Sequence, residues 1–380
     1  MPRKGENIYQ RKDGRWEGRY IKERSSTGAA IYGSVYAPTY TEVRKKRNLA
    51  IANVDPGKIR TVKKKGTVEA VALEWLDMIK PQVKNSTYCK YHYIVYSYVL
   101  PGLGKKDINK VSVLNLQNFC DGLLTKAGSR SAPLSTKTVS DILAVVKGIL
   151  NYASIYGYSP SCTSRDVFIR KNTHDIITLS DSDQKILCRY LFENPDKKNL
   201  GILICLFTGI RLGELCALKW EDISLYEKTI YIRNTMQRLK NFKPDSPKTY
   251  IDISSPKSSR SIRKIPLPNS LFIYIQQNFP EQQGFILSSQ RSEHLDPRTI
   301  QNHFKKVQKK LGLEPVNFHA LRHTFATRSV ELGFDIKSLS EILGHASVII
   351  TMNRYVHPSM ELKQQNMQKI SMLMDDLMNQ

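Results

Sequence analysis

None of the six cysteines (Cys89, Cys120, Cys162, Cys188, Cys205 and Cys216) forms a C-x-x-C pair. Neither a zinc knuckle nor a disulfide framework is therefore expected, and the thiols read as reduced and mostly buried. No stretch reaches the roughly 18 apolar residues of a membrane span, and the longest apolar run, Gly201 to Phe207, reads as a buried helix segment. The opening MPRKGENIYQRKDGRW has no apolar core of the kind a signal peptide carries. A soluble, cytoplasmic protein without a membrane partner is the expectation. There is no G-x-x-x-x-G-K-S/T phosphate loop. Acidic residues are scarce: 34 Asp and Glu stand against 58 Lys and Arg, a net charge of +24. Such an imbalance suits a polyanionic partner, most simply nucleic acid.

The 380 residues suffice for two or three domains with real cores. Residues 1–65 hold 17 Lys and Arg against 6 Asp and Glu, nearly half the excess charge in about a sixth of the chain. Within them, 7–11 and 15–21 alternate like strands around Lys12-Asp13-Gly14, and a third strand is expected near 31–36. Thr41 reads as the start of a short helix, 42–53. A basic sheet with interleaved aromatics (Trp16 and several tyrosines) suits DNA-groove contact, and Arg11, Lys12, Arg15, Arg19, Lys22 and Arg24 are its candidate DNA-binding residues. After a charged linker, 58–66, helices are expected from Thr67, over 86–99, 112–126 and 135–156, an all-α module spanning 67–165. A second basic linker, 166–177, leads into 178–358, where Ser180 and Asp183 form a capping-box pattern. Residues 229–234, 250–254 and 261–267 read as strands, with 255–260 a hairpin tip carrying Lys257. The fold class is thus multidomain and mainly α, with a three-stranded N-terminal β-sheet plus helix, an all-α domain, and a mixed, mainly α domain holding a small antiparallel sheet.

The segment FHALRHTFATRSVELGFDIKSLSEILGHASVIITMNRYVH organises the last domain. His319 and Arg322 share one helix face, Gly333 is placed to end that helix, Asp335 to cap the next, and Gly344 to stop it just before His345. Tyr355 follows ten residues later. Imidazole, guanidinium and phenol together suit attack on a phosphodiester. An arginine fork meets two non-bridging oxygens, histidines donate to them or move protons, and a phenol can be a covalent nucleophile if a base or cationic field assists it. Taken singly, each has an ordinary explanation. A tyrosine among nineteen is usually packing, and Lys257 is one exposed lysine of many. His319 and His323 have zinc-like spacing but neither the following Glu nor a third ligand. Upstream, Arg211 follows a glycine turn and opens a helix whose end is suited to phosphate, with Glu214 one turn on to orient it.

Arg211 in TGIRLGEL, Lys257 in PKSSRSIRKIPL, His319-x-x-Arg322, Leu343-Gly344-His345 and Tyr355 occur in that chain order. This ordered set resembles the catalytic domain of the tyrosine site-specific recombinases, the phage-type integrase family. The resemblance implies a catalytic domain at 178–358, a helical core-site DNA-binding domain at 67–165, and an arm-site DNA-binding β domain at 1–57 of the kind found in integrases of phages and conjugative transposons. It further implies that Tyr355 attacks DNA to form a 3′-phosphotyrosyl bond, that Arg211 and Arg322 clamp the phosphate, and that Lys257 protonates the leaving 5′-oxygen. His319 would act with Tyr355 as base or donor, His345 would support the phosphate, and Glu214 would hold Arg211. No metal, cofactor or ATP is implied. Expected partners are double-stranded DNA with core and arm sites, three further copies in a homotetramer, and DNA-bending accessory proteins. The C-terminal helix, 359–380, would pack on its own domain or dock in trans. The same residues would also serve a type IB topoisomerase or a telomere resolvase. A non-catalytic DNA-binding regulator would leave the set unexplained.

Overall fold

The computed structural model describes residues 6–24, 29–54, 64–125, 133–162, 167, 169, 176–242, 246–256, 259–280, 283–356 and 360–378. Contacts divide the chain into two units, Met1–Thr173 and His174–Gln380. In the first, strands β1 (Ile8–Gln10), β2 (Trp16–Arg24) and β3 (Ala30–Ala37) form an antiparallel sheet in that order. Alternation turns Ile8, Trp16 and Val35 toward helix α1 (Tyr40–Ala52), whose Val43 is fully buried, and Trp16 meets Tyr40 edge-on at 5.3 Å. The helix begins two residues earlier than the sequence suggests: Thr39 rather than Thr41 is the cap, its hydroxyl accepting from the Glu42 amide at 3.3 Å. Between the pairs Ile21–Tyr32 and Glu23–Ile31 the register shifts, so Lys22 sits in a β-bulge.

Helices α2 (Val68–Ile79), α3 (Asn85–Ile94), α4 (Val113–Thr125) and α5 (Thr136–Ile155) follow. Thr67 and Ser135 cap α2 and α5 through their hydroxyls. Where one helix over 86–99 is expected, α3 instead widens into a π turn at Val95–Val99. The apolar faces of these helices share one core, including Trp75, Val95, Leu116, Ile142 and Ile149. Among the described residues, α5 alone is long and apolar enough to cross a membrane by length and composition. In the structure it is the central helix of this core, with Val139, Ile142, Val146, Ile149 and Leu150 buried.

The second unit contains helices α6 (Asp181–Glu193), α7 (Lys197–Thr208), α8 (Leu212–Cys216), α9 (Asn269–Asn278), α10 (Pro297–Leu311), α11 (His319–Glu331), α12 (Ile336–Leu343), α13 (Val348–Tyr355) and α14 (Met360–Met378). Ser180 caps α6 through the Asp183 amide, and Asp335 caps α12. Helix α7 is buried on nearly every side, from Leu200 to Leu206, and is the centre of the core. The sheet arrangement corrects the sequence reading. Strand β7 (Thr249–Ser254) pairs with β6 (Thr235–Lys240), whereas β8 (Arg263–Pro266) pairs with β5 (Thr229–Ile232), which also pairs with β4 (Ile223–Ser224). Strands β7 and β8 thus belong to separate small sheets and are not the two arms of one hairpin. Lys257 lies outside the described residues. On α14 the apolar residues Met360, Met367, Ile370, Met374 and Leu377 are all exposed.

Candidate active site

Helix α7 ends at Gly209, whose φ of 65° lets the chain reverse; a Cβ there would fall 2.5 Å from the Phe325 ring. Two residues on, Arg211 is the N-cap of α8. Its Nη1 donates to Glu214 Oε1 at 2.7 Å, and its backbone N–H donates to Glu214 Oε2 at 3.0 Å. Glu214 is buried, and Arg263 of β8 approaches from its other side, with Nη2 on Oε2 at 2.9 Å. Burial pushes the Glu214 carboxyl up, but the charge and hydrogen bonds of Arg263, then Arg211, hold it below the usual carboxylate range. Arg263 also donates to the Ile342 carbonyl at 2.5 Å and the Ser261 carbonyl at 2.9 Å, tying β8 to the end of α12. Gly213 packs α8 on β6: a Cβ there would lie 2.6 Å from Thr235 Oγ1 and 2.8 Å from the Met236 carbonyl oxygen. Because that second contact is backbone, Gly213→Ala is expected to cost about 1–3 kcal/mol and to displace Arg211; urea denaturation and cleavage rate measured together check this.

Arg322, on α11, is 2% exposed. Its guanidinium donates to the Gly209 carbonyl at 2.7 Å and to the Leu343 carbonyl at 2.8 Å, while Arg211 Nη2 reaches the next carbonyl, Gly344, at 3.3 Å. The two guanidiniums are therefore anchored on consecutive carbonyls at the end of α12, immediately before His345. Burial and the neighbouring Arg211 lower the Arg322 pKa to about 9, which still leaves it charged at neutral pH. These carbonyls use two of its five N–H donors.

His345 accepts from or donates to Thr351 through Nδ1 at 2.8 Å, and its ring lies parallel to that of Tyr355 with centroids 6.3 Å apart. Tyr355, the last residue of α13, is buried against Ala326, Leu339 and Leu343. Its hydroxyl meets Nδ1 of His323 at 2.8 Å. Burial raises the phenol's pKa, against the lowering influence of Arg322, Arg354 and Arg211. His319 opens α11, with its ring edge-on to His323 at 4.6 Å. Burial, and then the surrounding arginines, lower His319 to about 4 and His345 to about 3, so both are neutral at pH 7.

The structure thus brings together Arg211, Glu214, His319, Arg322, His345 and Tyr355 around the end of α12. It adds three residues that sequence reasoning passed over as site members: Arg263, His323 and Arg354. A sequence signal existed for Arg263, since it occupies the inward phase of a strand whose next inward residue is Ile265. His323 was visible only as half of a zinc-like pair.

In the N-terminal sheet, the face opposite α1 carries Arg11, Arg15 and Arg19 around the buried Glu17. Glu17 accepts from Arg11 Nη1 at 2.9 Å, Arg19 Nε at 3.0 Å and Ser34 Oγ at 2.8 Å. Arg11 and Arg15 lie over the Tyr36 ring, and Arg19 over Tyr9. Lys12 is exposed in the β1–β2 turn and Lys22 at the bulge; the Arg24 side chain lies outside the description.

Residues 171–361 match the Phage integrase family, and residues 67–124 match the phage integrase N-terminal SAM-like domain. A tyrosine recombinase XerC-like protein of Caldanaerobacter subterraneus subsp. tengcongensis is 26% identical over 361 residues, covering 88% of this chain and 90% of its own. The Tn1549 transposon integrase, solved with transposon right end DNA, superposes with a TM-score of 0.66 at 22% identity over 80% of this chain and 100% of that one. A lambda integrase dimer bound to a core site gives 0.57 at 16% identity over 94% and 97%. At those identities the two structures attest the fold. The sequence match over half the chain attests the family: the protein belongs to the phage integrase family of tyrosine recombinases, enzymes that cleave and rejoin DNA.

Proposed function

We propose that the protein is the site-specific recombinase of a mobile genetic element, integrating and excising DNA through a 3′-phosphotyrosine at Tyr355. The observation that carries this reading is the anchoring of Arg211 and Arg322 on the consecutive carbonyls of Leu343 and Gly344, beside a buried phenol. Two planar guanidiniums held this way present remaining N–H donors to one phosphate, and charge building on its non-bridging oxygens is met by groups already in place. His345, neutral at pH 7, supports the same phosphate as a hydrogen-bond donor, and His319, also neutral, acts with Tyr355 as base or hydrogen-bond donor. Glu214 keeps Arg211 oriented. Lys257, by resemblance to the family, protonates the leaving 5′-oxygen. Because the phosphotyrosyl bond retains the free energy of the phosphodiester, rejoining needs no ATP.

Residues 178–358 then form the catalytic domain, 67–165 the core-site-binding domain and 1–57 the arm-site-binding domain; the linkers expected at 58–66 and 166–177 lie largely outside the described residues. The active species is a homotetramer on two DNA segments in the cytoplasm, assisted by DNA-bending proteins, with the exposed apolar face of α14 available to a neighbouring copy. Incubating the full chain with nicked suicide substrates built from the ends of its mobile element, then mapping the adduct peptide, tests this. An adduct at Tyr355 is expected, and its absence on every candidate end sinks the reading.

The sheet face built on Glu17 reads as the arm-site contact. Replacing Arg11, Arg15 and Arg19 together by Ala is expected to weaken arm-DNA binding and to flatten the slope of log affinity against log salt by roughly 2–3. A titration series in salt checks this; an unchanged slope moves the contact elsewhere.

A further inference from the structure

The proposed strand cleavage requires a group to take the proton of Tyr355, and the family resemblance offers His319 as that base or as a hydrogen-bond donor. The geometry points elsewhere. His319 and His323 are one turn apart on the same face of α11, and it is His323 whose Nδ1 stands 2.8 Å from the phenolic oxygen. We propose that His323 is the catalytic residue that accepts the Tyr355 proton, and that it becomes competent only when a DNA phosphate occupies the Arg211–Arg322 clamp. This rests on the recombinase reading and specifies one of its steps.

The Tyr355 O–H bond breaks and its proton passes to His323 Nδ1, in the tautomer whose Nε2 already carries hydrogen. The phenolic oxygen forms a bond to phosphorus. The P–O5′ bond breaks, its electron pair staying on the 5′-oxygen, which is protonated by the general acid proposed at Lys257. In rejoining, the His323 imidazolium returns its proton to the departing phenolate.

The charges facing His323 explain why the phosphate must come first. His319 lies on its own helix, Arg322 precedes it in the chain, and Arg354 and Tyr355 face it from α13. Burial and then His319, Arg354 and Arg322 hold its pKa at about 4, while burial raises that of the phenol. Without DNA the proton therefore stays on Tyr355. A seated phosphate brings a negative charge against Arg322 and Arg211, offsets the cationic field on the imidazole and strengthens it as a base. The nucleophile is thus silent until its target is bound. A substrate-gated base of this kind also protects the tyrosine from reacting with anything that does not fill the clamp.

The test uses the full chain in single-turnover cleavage of a nicked suicide substrate at saturating DNA. His323→Ala is expected to form the Tyr355 adduct about 10²–10⁴-fold more slowly, with DNA affinity retained and a rate that climbs with pH as the phenol ionises unaided. Installing 2,3,5-trifluorotyrosine at 355, a more acidic phenol, is expected to return much of that loss in His323→Ala and little in His319→Ala. His323→Gln, closer in shape, replaces the alanine variant if the latter fails to bind DNA. Cleavage by His323→Ala at the parent rate overturns the inference. So does a slow variant with the parent's pH profile and no gain from the fluorinated tyrosine, which would mark a packing role. Rescue confined to His319→Ala would return the base to His319. A parent protein that forms no adduct removes the recombinase reading itself, and the inference with it, whereas an active parent with an unaffected His323→Ala removes the inference alone.

Discussion

Tyr355→Phe is expected to abolish the covalent protein–DNA adduct on a nicked suicide substrate while leaving DNA binding intact. The change removes one oxygen and keeps the ring, so the apolar contacts with Ala326, Leu339 and Leu343 persist. What disappears is the nucleophile and the hydroxyl partner of His323 Nδ1. The second loss costs on the order of 1 kcal/mol of stability, far too little to unfold a domain with a core of this size. Arg211, Arg322 and His345 are held by carbonyls, by Glu214 and by Thr351 rather than by the phenol. The clamp therefore survives, and affinity for the core site is expected to change less than about threefold, since a single neutral hydroxyl adds little to a contact dominated by phosphate charge. Denaturing gel electrophoresis after incubation reads the adduct, and a mobility shift reads binding. Persistent trapping would assign the nucleophile to another residue; lost binding would mean that the phenol supports the fold.

Those features of the fold governed by neighbouring residues were legible in the sequence. Thr67, Ser135, Ser180 and Asp335 each precede a helical apolar pattern, and each caps the helix that follows through its own side chain. The glycine stop after α12 is equally local, because only a residue tolerant of positive φ continues the chain there. Strand pairing was less legible. Residues 250–254 and 261–267 look like successive arms of a hairpin, yet β7 returns to β6 and β8 to β5. Alternation identifies a strand but not its partner, and the partner is decided by which edge the core leaves open. The site divides along the same line. Arg211, His319, Arg322, His345 and Tyr355 stand out by spacing and order, but spacing alone cannot say which histidine meets the phenol. That depends on how α13 lies across α11. Arg263 is a harder case still. Its importance comes from contacts with Glu214, 49 residues earlier, and with Ile342, 79 residues later.

Glu214 is where fold and chemistry meet, and its replacement should affect both. Its carboxylate, 3% exposed, is shared by Arg211 and Arg263, and Arg322 lies close enough to feel its charge. Glu214→Gln keeps the shape but leaves Arg263, itself 8% exposed, without its anionic partner. Removing one member of a buried ion pair typically costs 3–5 kcal/mol, and a loss of about that size is expected in urea denaturation at pH 7. The pH dependence provides a second reading. Arg263 and Arg211 depress the carboxyl's folded pKa despite burial, below an unfolded value of about 4.3. The contribution of this carboxylate is therefore fully present above about pH 4.3 and lost as pH falls through the folded value. The stability gap between the parent and Glu214→Gln should accordingly be widest near neutrality and narrow on acidification. Cleavage should fall too, because the carboxylate that accepts from both the Arg211 guanidinium and its backbone N–H is replaced by an amide with a single acceptor oxygen and no charge, and a loosely held cation stabilises developing phosphate charge poorly. A loss of about 10²-fold or more in single-turnover rate, with core-site affinity largely kept, is the expected pattern. A variant as stable as the parent at pH 7, and as fast, would show that the three arginines hold their positions through the backbone carbonyls alone.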